Sequence, residues 1–359
     1  MGDMNRNLID KWLACGARVF VVCVCLTCAL VPCLFISCGG AQDKDGAGKE
    51  AAQLGQKPQS RGLPYELVLV IPRGLYTGEL KDSLDAVLQG STPVLPQHEA
   101  MFRLDVAYTD ANLTPWRTFR NRLVVEVKAG EGTARMGVAL DVVARPQIEV
   151  KLTARTAHEL AEFIGVHRQR LTDLIVDHEL ACEAANLRRK YSRMTADSLR
   201  LFGHTVCVPA GLRASKVGQE FLWTGTNLND KDQNFVYYSY PWNGQPLTAE
   251  QYVAKRDSVL QVNIPGAREG QWMQTARLRE DAGKPLLIAR TRMMNNKVVQ
   301  EVHGLWELKN GALGGPFVAL ECVDTASRRV VVCEGFVYSP HSPKRDLLRQ
   351  MEAALRTFE

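Results

Sequence analysis

The sequence has no excess of charge of either sign: 44 lysines and arginines stand against 39 acidic residues. A chain this balanced has no global electrostatic drive toward nucleic acid. Hydrophobic residues make up 46% and charged residues 23%. That composition excludes wholesale disorder, collagen and a polytopic membrane protein. Beyond the first 38 residues, metal-ligand spacing is missing too: Cys182, Cys207, Cys322 and Cys333 stand far apart, with no CxxC and no Cys/His pattern among them, which argues against structural zinc. His158-Glu159 and His178-Glu179 each begin like a zinc-protease helix, but Glu162 and Cys182 stand where the second histidine is required. Gly314-Gly315-Pro316-Phe317 lacks the Gly-Lys-Ser/Thr ending of a phosphate loop. His98 and Glu99 are adjacent, but no activated serine or cysteine is identifiable beside them. No cofactor and no metal is therefore expected.

What is present begins at the N-terminus. No charge occurs between Arg18 and Asp43, and Val19 to Ile36 is almost wholly apolar, preceded by Arg6, Lys11 and Arg18. This is a positive n-region followed by an h-region. The stretch ends Leu34-Phe35-Ile36-Ser37-Cys38-Gly39, which resembles a bacterial lipobox: apolar residues, a small residue, then cysteine. Acylation of the Cys38 thiol followed by cleavage before it would leave a lipid-anchored N-terminus, with two or three chains for stable anchoring. The competing reading is an uncleaved helix, since the length also suffices to cross a bilayer. Residues 1–37 are thus assigned to a lipoprotein signal and 38–62 to the lipidated cysteine and a flexible tether poor in apolar residues. A coil of that length spans roughly 25–30 Å. Gly39, rather than an aspartate, follows the cysteine, which favours the outer membrane, facing the periplasm or the cell surface.

The rest reads as α+β: antiparallel sheets packed by helices, with an N-terminal half over 63–202 and a C-terminal half over 203–359. Strands are predicted over 65–71, 101–108, 123–128, 137–143 and 147–152, and a helix near 78–89. A long helix follows from about Thr156, with a break near Ser192 and an inward stripe of Leu160, Ile164, His167, Leu171, Leu174, His178 and Ala181. Val206 to Leu212 echoes Val70 to Leu75, which suggests two related halves. Thr248 and Gln251 form the capping box of a helix over 248–260. Four strands in an antiparallel meander follow at about 286–293, 298–308, 316–324 and 329–338. Ser342-Pro343 is expected to cap a final helix.

Alternation along the strands places Glu301, His303 and Glu307 on one face of their strand. A two-residue turn in the last hairpin puts Val318, Leu320, Cys322, Val331, Cys333 and Val337 on one apolar face and Glu321 with Glu334 on the other. Cys322 and Cys333 could then be a disulfide or a buried thiol pair. Arg256 lies near the apolar stripe of its helix and calls for a carboxylate partner or an anion. The candidate binding residues are Arg256, Asp257, His303, Glu307 and Glu334. Solvated charges and ordinary ion pairs are the competing reading.

Several segments resemble a family of Bacteroidetes lipoproteins defined only as a domain of unknown function, DUF4837. They are Leu95-Pro96-Gln97-His98-Glu99, Arg256-Asp257, Met273-Gln274-Thr275, Gly304-Leu305-Trp306-Glu307, Gly314-Gly315-Pro316-Phe317, Glu334-Gly335-Phe336-Val337-Tyr338 and Lys344-Arg345. The resemblance runs over about 63–358. It implies a lipid-anchored envelope protein of a Gram-negative bacterium and no activity. Three functions follow as expectations. The first is non-enzymatic binding, scaffolding or assembly, with membrane lipid engaged through Cys38 and an envelope protein or glycan as partner. The second is an enzyme using Glu307, Glu334 and His303, with Arg256 orienting an anion. The third is a carbohydrate-binding module using Trp223, Trp242 and Trp272.

Overall fold

The computed structural model describes residues 57–277 and 285–359. Its first sheet starts from β1 (Glu66–Ile71), an almost continuous apolar run buried along nearly its whole length. That pattern belongs to a strand covered on both faces. Helix α1 (Gly78–Leu88) turns Leu80, Leu84 and Leu88 inward and carries the chain to β2 (Arg103–Tyr108), which pairs with β1 in parallel. Parallel neighbours need such a crossover, because a tight turn only reverses the chain. β3 (Asn121–Val127) joins the other side of β1, and β5 (Ile148–Ala154) lies beside it, both parallel. β4 (Arg135–Leu140) is an antiparallel edge, giving the order β2-β1-β3-β5-β4. The antiparallel expectation therefore fails for this sheet, because the helix predicted near 78–89 serves as a parallel crossover.

Helix α2 (Ala157–Arg189) begins where Thr156 accepts a hydrogen bond from the Glu159 amide. It stops before Ser192, which caps α3 (Arg193–Arg200) through the Thr195 amide. The buried side of α2 passes through Leu160, Ile164, Leu171, Ile175, Glu179 and Leu180, while Ala181 is exposed. A stripe drawn at 3.5 residues per turn slides around a helix of 3.6 by about 20° per heptad. Over a helix of 33 residues that drift carries the expected stripe off the core.

The second sheet is antiparallel, as predicted. Its strands are β6 (Ala214–Val217), β7 (Phe221–Gly225), β8 (Asp232–Pro241), β9 (Met273–Thr275), β10 (Leu287–Met294), β11 (Lys297–Leu308), β12 (Gly314–Asp324) and β13 (Arg329–Tyr338). The order is β10-β11-β12-β13-β8-β7-β6, with β9 paired to the end of β11. Helix α4 (Ala249–Asn263) is capped by Thr248, and α5 (Arg345–Leu355) ends the fold. The class is α+β. The two sheets differ in topology, and Val206–Leu212 lies outside the strands whereas its echo ends β1, so the expected relation between halves is not seen.

One large core joins both sheets. It contains Leu67, Leu69 and Ile71 of β1, the inner side of α2, Leu348 and Met351 of α5, and Val318, Leu320, Cys322, Val331, Cys333 and Val337 of the second sheet. The last six are the apolar face expected from the hairpin. The register opposes Leu320 to Cys333 and Val331 to Cys322, and both thiols are free. Gly335 lets α5 lie close, since a Cβ there would fall 2.5 Å from Met351 Cβ. Helix α4 covers the opposite face of the sheet with Tyr252, Val253 and Leu260.

Residues 59–61, read as tether, instead bridge to the body: Gln59 pairs with Arg145 and Arg61 with Phe119. The signal over 1–37 and Cys38 lie outside the described residues. Among the described residues no helix is long and apolar enough to cross a membrane.

The N-terminus of α5 departs from expectation. The helix begins at Arg345, and neither Ser342 nor Lys344 caps it with a side chain. Glu99 does so from the first half: its carboxylate accepts the Lys344 amide at 2.7 Å and the Arg345 amide at 2.9 Å. Lys344 Nζ donates in turn to Gln97 at 2.8 Å. A carboxylate at a helix N-terminus satisfies free amides and opposes the positive end of the helix dipole. Replacing Glu99 by alanine should lower stability by about 1–2 kcal/mol. Urea unfolding should show an earlier midpoint with the slope unchanged; an unmoved midpoint would remove the cap from the account.

Candidate functional site

The candidate residues fall on opposite faces of the second sheet. The register pairs His303 with Val318 and Val318 with Gly335, so Glu334, one residue out of step, points the other way. The expectation that Glu307, Glu334 and His303 converge is therefore overturned. Glu307 meets Gln274 of β9, which donates to it at 2.8 Å.

On the α4 face, Arg256 and Glu334 are both fully buried and form a two-pronged pair. Arg256 Nε donates to Glu334 Oε2 at 2.8 Å and Nη2 to Oε1 at 2.7 Å. The Tyr252 hydroxyl donates to the same carboxylate at 3.0 Å, and Arg256 Nη1 reaches Thr275 at 3.2 Å. The guanidinium lies 4.1 Å from the Phe317 ring centre, and that ring occupies space a Cβ on Gly304 would take. Asp257 accepts the Thr275 amide and hydroxyl, each at 2.7 Å, and so fastens β9 to α4. Burial opposes the Arg256 charge most strongly, but Glu334, Tyr252 and Asp257 together outweigh it and keep the guanidinium protonated. This is the ion-pair reading of Arg256, closed to ligand.

A third carboxyl, Glu321, lies on this same face. One oxygen accepts from the Tyr240 hydroxyl at 2.7 Å, and the other has no partner. Burial outweighs that one hydrogen bond and pushes the Glu321 carboxyl up to about 7.

The opposite face carries an open arrangement that the sequence reading assembled only in part. His303 and Glu301 of β11 lie 3.0 Å apart, Nε2 to Oε1. Glu352 of α5 comes to 4.0 Å from the same ring nitrogen. Arg292 of β10 reaches Glu301 at 3.3 Å, Arg349 donates to Glu352 at 2.7 Å, and Arg356 meets Glu301 at 3.2 Å. Burial works against the Glu301 charge. The hydrogen-bonded His303 ring, Arg356 and Arg292 overcome it and hold the carboxyl down at about 2.

All of these groups except Arg356 wall a cavity of about 60 Å³. The first half contributes Thr92, Pro93 and Met101 with Gln169, Thr172, Asp173 and Val176 of α2. The second half contributes Arg290 and Arg292 of β10, Glu301 and His303, and Arg345, Arg349 and Glu352 of α5. Sites between packed units are the usual place for ligands. Glu301, His303 and Glu352 could bring three ligand atoms within 4.8 Å of one another for a cation. However, Arg292, Arg349 and Arg356 already neutralise those carboxylates, removing the negative charge that a divalent ion requires.

The arginines and Glu352 were missed, yet they carry a signal. Arg290 and Arg292 are two apart and share a strand face. Arg345, Arg349, Glu352 and Arg356 recur at four, three and four residues, one helix face beside the apolar stripe. The tryptophans are engaged separately: Trp223 donates to Asn234 at 2.9 Å, Trp242 to the Gln245 carbonyl at 2.7 Å, and Lys309 sits 4.1 Å from the Trp272 ring centre.

The class is thus an α+β protein whose two halves enclose a charged cavity. Residues 192–357 match the family described as Domain of unknown function (DUF4837), so the C-terminal part of the chain is DUF4837-like, as the resemblance implied. The N-terminal part is different: residues 60–188 match Domain of unknown function (DUF8532). The two matches part between α2 and α3, and the cavity takes its walls from both. No curated protein matches the chain.

Two predictions test these assignments. Arg256→Met or Glu334→Gln alone leaves a buried charge unpaired and should cost about 3–5 kcal/mol. Replacing both partners with methionine should recover much of that loss in chemical denaturation; a double variant as weak as the singles would show that the pair does more than neutralise itself. Glu321 titrates above its ordinary value of 4.5 when folded, so the stability it adds is complete below about that pH and is lost as pH rises through about 7. From pH 5 to pH 8 the protein should lose up to about 3 kcal/mol through this group. Glu321→Gln should flatten that change, and identical pH profiles would contradict the assignment.

Proposed function

We propose that this chain is a lipid-anchored protein of the bacterial cell envelope that acts by binding or assembly and not by turnover. One observation supports binding above all. Of the buried acids, Glu301, Glu334 and Glu352 are each held by a guanidinium group, while Glu321 meets only Tyr240 and the half-buried Glu307 meets Gln274. A carboxylate so paired is a poor general base, because the proton it would take competes with a fixed positive charge. The charge-free run before Ser37-Cys38 supports the anchor, and the glycine after the cysteine supports the outer membrane, facing the periplasm or the surface. An envelope protein or a glycan is the partner class.

A second reading, an envelope enzyme, draws on the His303–Glu301 contact inside the cavity. A carboxylate that orients a histidine is half of a catalytic arrangement; the remaining polar wall holds four arginines beside Thr92, Gln169, Thr172, Asp173 and Glu352.

The anchor is tested on the full chain in a Gram-negative host. Intact mass should give a species that begins at Cys38 and carries acyl chains. Cys38→Ala should carry none and remain uncut before residue 38. Wild-type protein that retains Met1 without acyl adducts would defeat the proposal.

A further inference from the structure

The arginines around the cavity hold more hydrogen-bond donors than the protein uses. A guanidinium carries five N–H donors. Arg345 gives Nε to Asp346 at 2.9 Å and Nη1 to the Ala100 carbonyl at 2.6 Å. Arg349 gives Nη1 to Glu352 at 2.7 Å, while Nη2 meets only the Met101 sulfur at 3.7 Å. A thioether is a weak acceptor. Arg290 has its nearest acid, Asp173, at 3.9 Å, beyond hydrogen-bond reach. All three line the same cavity; the Arg345 and Arg349 side chains are 7% and 11% exposed, while Arg290, at 36%, is more open to solvent. Donors so placed gain from an acceptor that brings its own negative charge, because their surroundings screen charge far less than water does.

The acids of the wall, Asp173, Glu301 and Glu352, are engaged by other groups: Asp173 accepts from Gln169 at 2.8 Å and lies 3.9 Å from Arg290. Glu301 is spent on Arg292, Arg356 and His303, and Glu352 on Arg349 and Arg356. Arg356 lies behind both carboxylates and offsets them from outside the cavity. The volume, about 60 Å³, fits a few waters or one small charged group, not a whole nucleotide.

We propose that this cavity is a binding site for an oxyanion, a phosphate or carboxylate group held by Arg290, Arg345 and Arg349. The inference rests on the reading of the protein as a binder and names the chemistry of what it binds. The planar forks of the guanidiniums suit two-oxygen contacts to either group. The site is composite: α5 and β10 supply the cations, while α2 and the loop at 92–101 close the wall. Neither family-matched region forms it alone.

The test uses full-length acylated protein in detergent, titrated with inorganic phosphate or acetate at ionic strength fixed by sodium chloride. Calorimetry and the thermal midpoint are the readouts. Saturable heat with a raised midpoint in phosphate supports a phosphate group as the natural ligand; the same in acetate alone supports a carboxylate. No response to either overturns the site. Arg290→Gln breaks no hydrogen bond of the fold, so its midpoint without anion should be unchanged while its affinity falls roughly tenfold, as loss of a charge-assisted contact implies. Arg345→Gln should weaken binding similarly. Wild-type affinity in both variants would place the anion elsewhere and overturn the site. A null titration on protein that carries its acyl chains removes the oxyanion and leaves the anchored binder standing; unacylated protein that still binds phosphate does the reverse.

Discussion

The fold depends on how one short helix satisfies two halves at once. Helix α5 lays Leu348, Met351 and Leu355 against the second sheet and is buried there among residues of the first half. Its N-terminal amides are taken by Glu99, so its position is fixed by a residue that lies 245 positions earlier. Its other face carries Arg345, Arg349 and Glu352 into the cavity. A helix wedged between apolar layers cannot leave such charges unpaired, because several kcal/mol of desolvation would go unanswered. The network of Arg292, Arg349 and Arg356 with Glu301 and Glu352 meets that demand. The packing of α5 and the composition of the cavity are therefore a single constraint.

The two faces of the second sheet show how similar residues reach opposite ends. Arg256 and Glu334 have an aromatic ring beneath the guanidinium, a tyrosine hydroxyl and a threonine around them, and no exposure. Arg256, Glu334, Tyr252 and Thr275 all have partners inside the protein, although the neighbouring Tyr238 hydroxyl has none. On the other face, the Arg345 and Arg349 forks are only partly used. What separates the two faces is access: the Arg256–Glu334 pair has no exposure, whereas Arg345 and Arg349 line a cavity. Glu321 marks an intermediate case: a carboxyl with a single partner, which burial drives toward its neutral form.

Much of this was legible in the sequence where local rules suffice. The meander of β10 to β13, the Thr248 cap, the break at Ser192 and the apolar face of the last hairpin all follow from alternation, turn length and capping residues. What failed depends on distant partners. The direction of β2 is set by a crossover, the cap of α5 comes from Glu99, and the face reached by Glu334 relative to His303 is set by the pairing of three strands. Periodicity also misled where it was drawn too simply, since a 3.5-residue stripe leaves the core of a helix as long as α2. The resemblance residues are clearer in hindsight of the packing: Gln97 and Glu99 meet Lys344 and Arg345, and Gly304 and Phe317 build the bed of Arg256.

A site shared between two family-matched regions has a thermodynamic consequence. A ligand that binds only the assembled cavity stabilises whatever brings α2, β10 and α5 together, in proportion to the logarithm of its concentration over its dissociation constant. The converse also holds, because linkage is reciprocal: anything that loosens the contact of the 92–101 loop with α5 must weaken the ligand by the same factor. Glu99 sits at that joint. Its carboxylate fixes the first turn of α5, and Arg345, in that same turn, reaches back to the Ala100 carbonyl with one nitrogen while facing the cavity. The helix cap and the oxyanion site therefore share an arginine. Occupancy of the proposed oxyanion site and docking of the two halves are in this way one equilibrium read at two places.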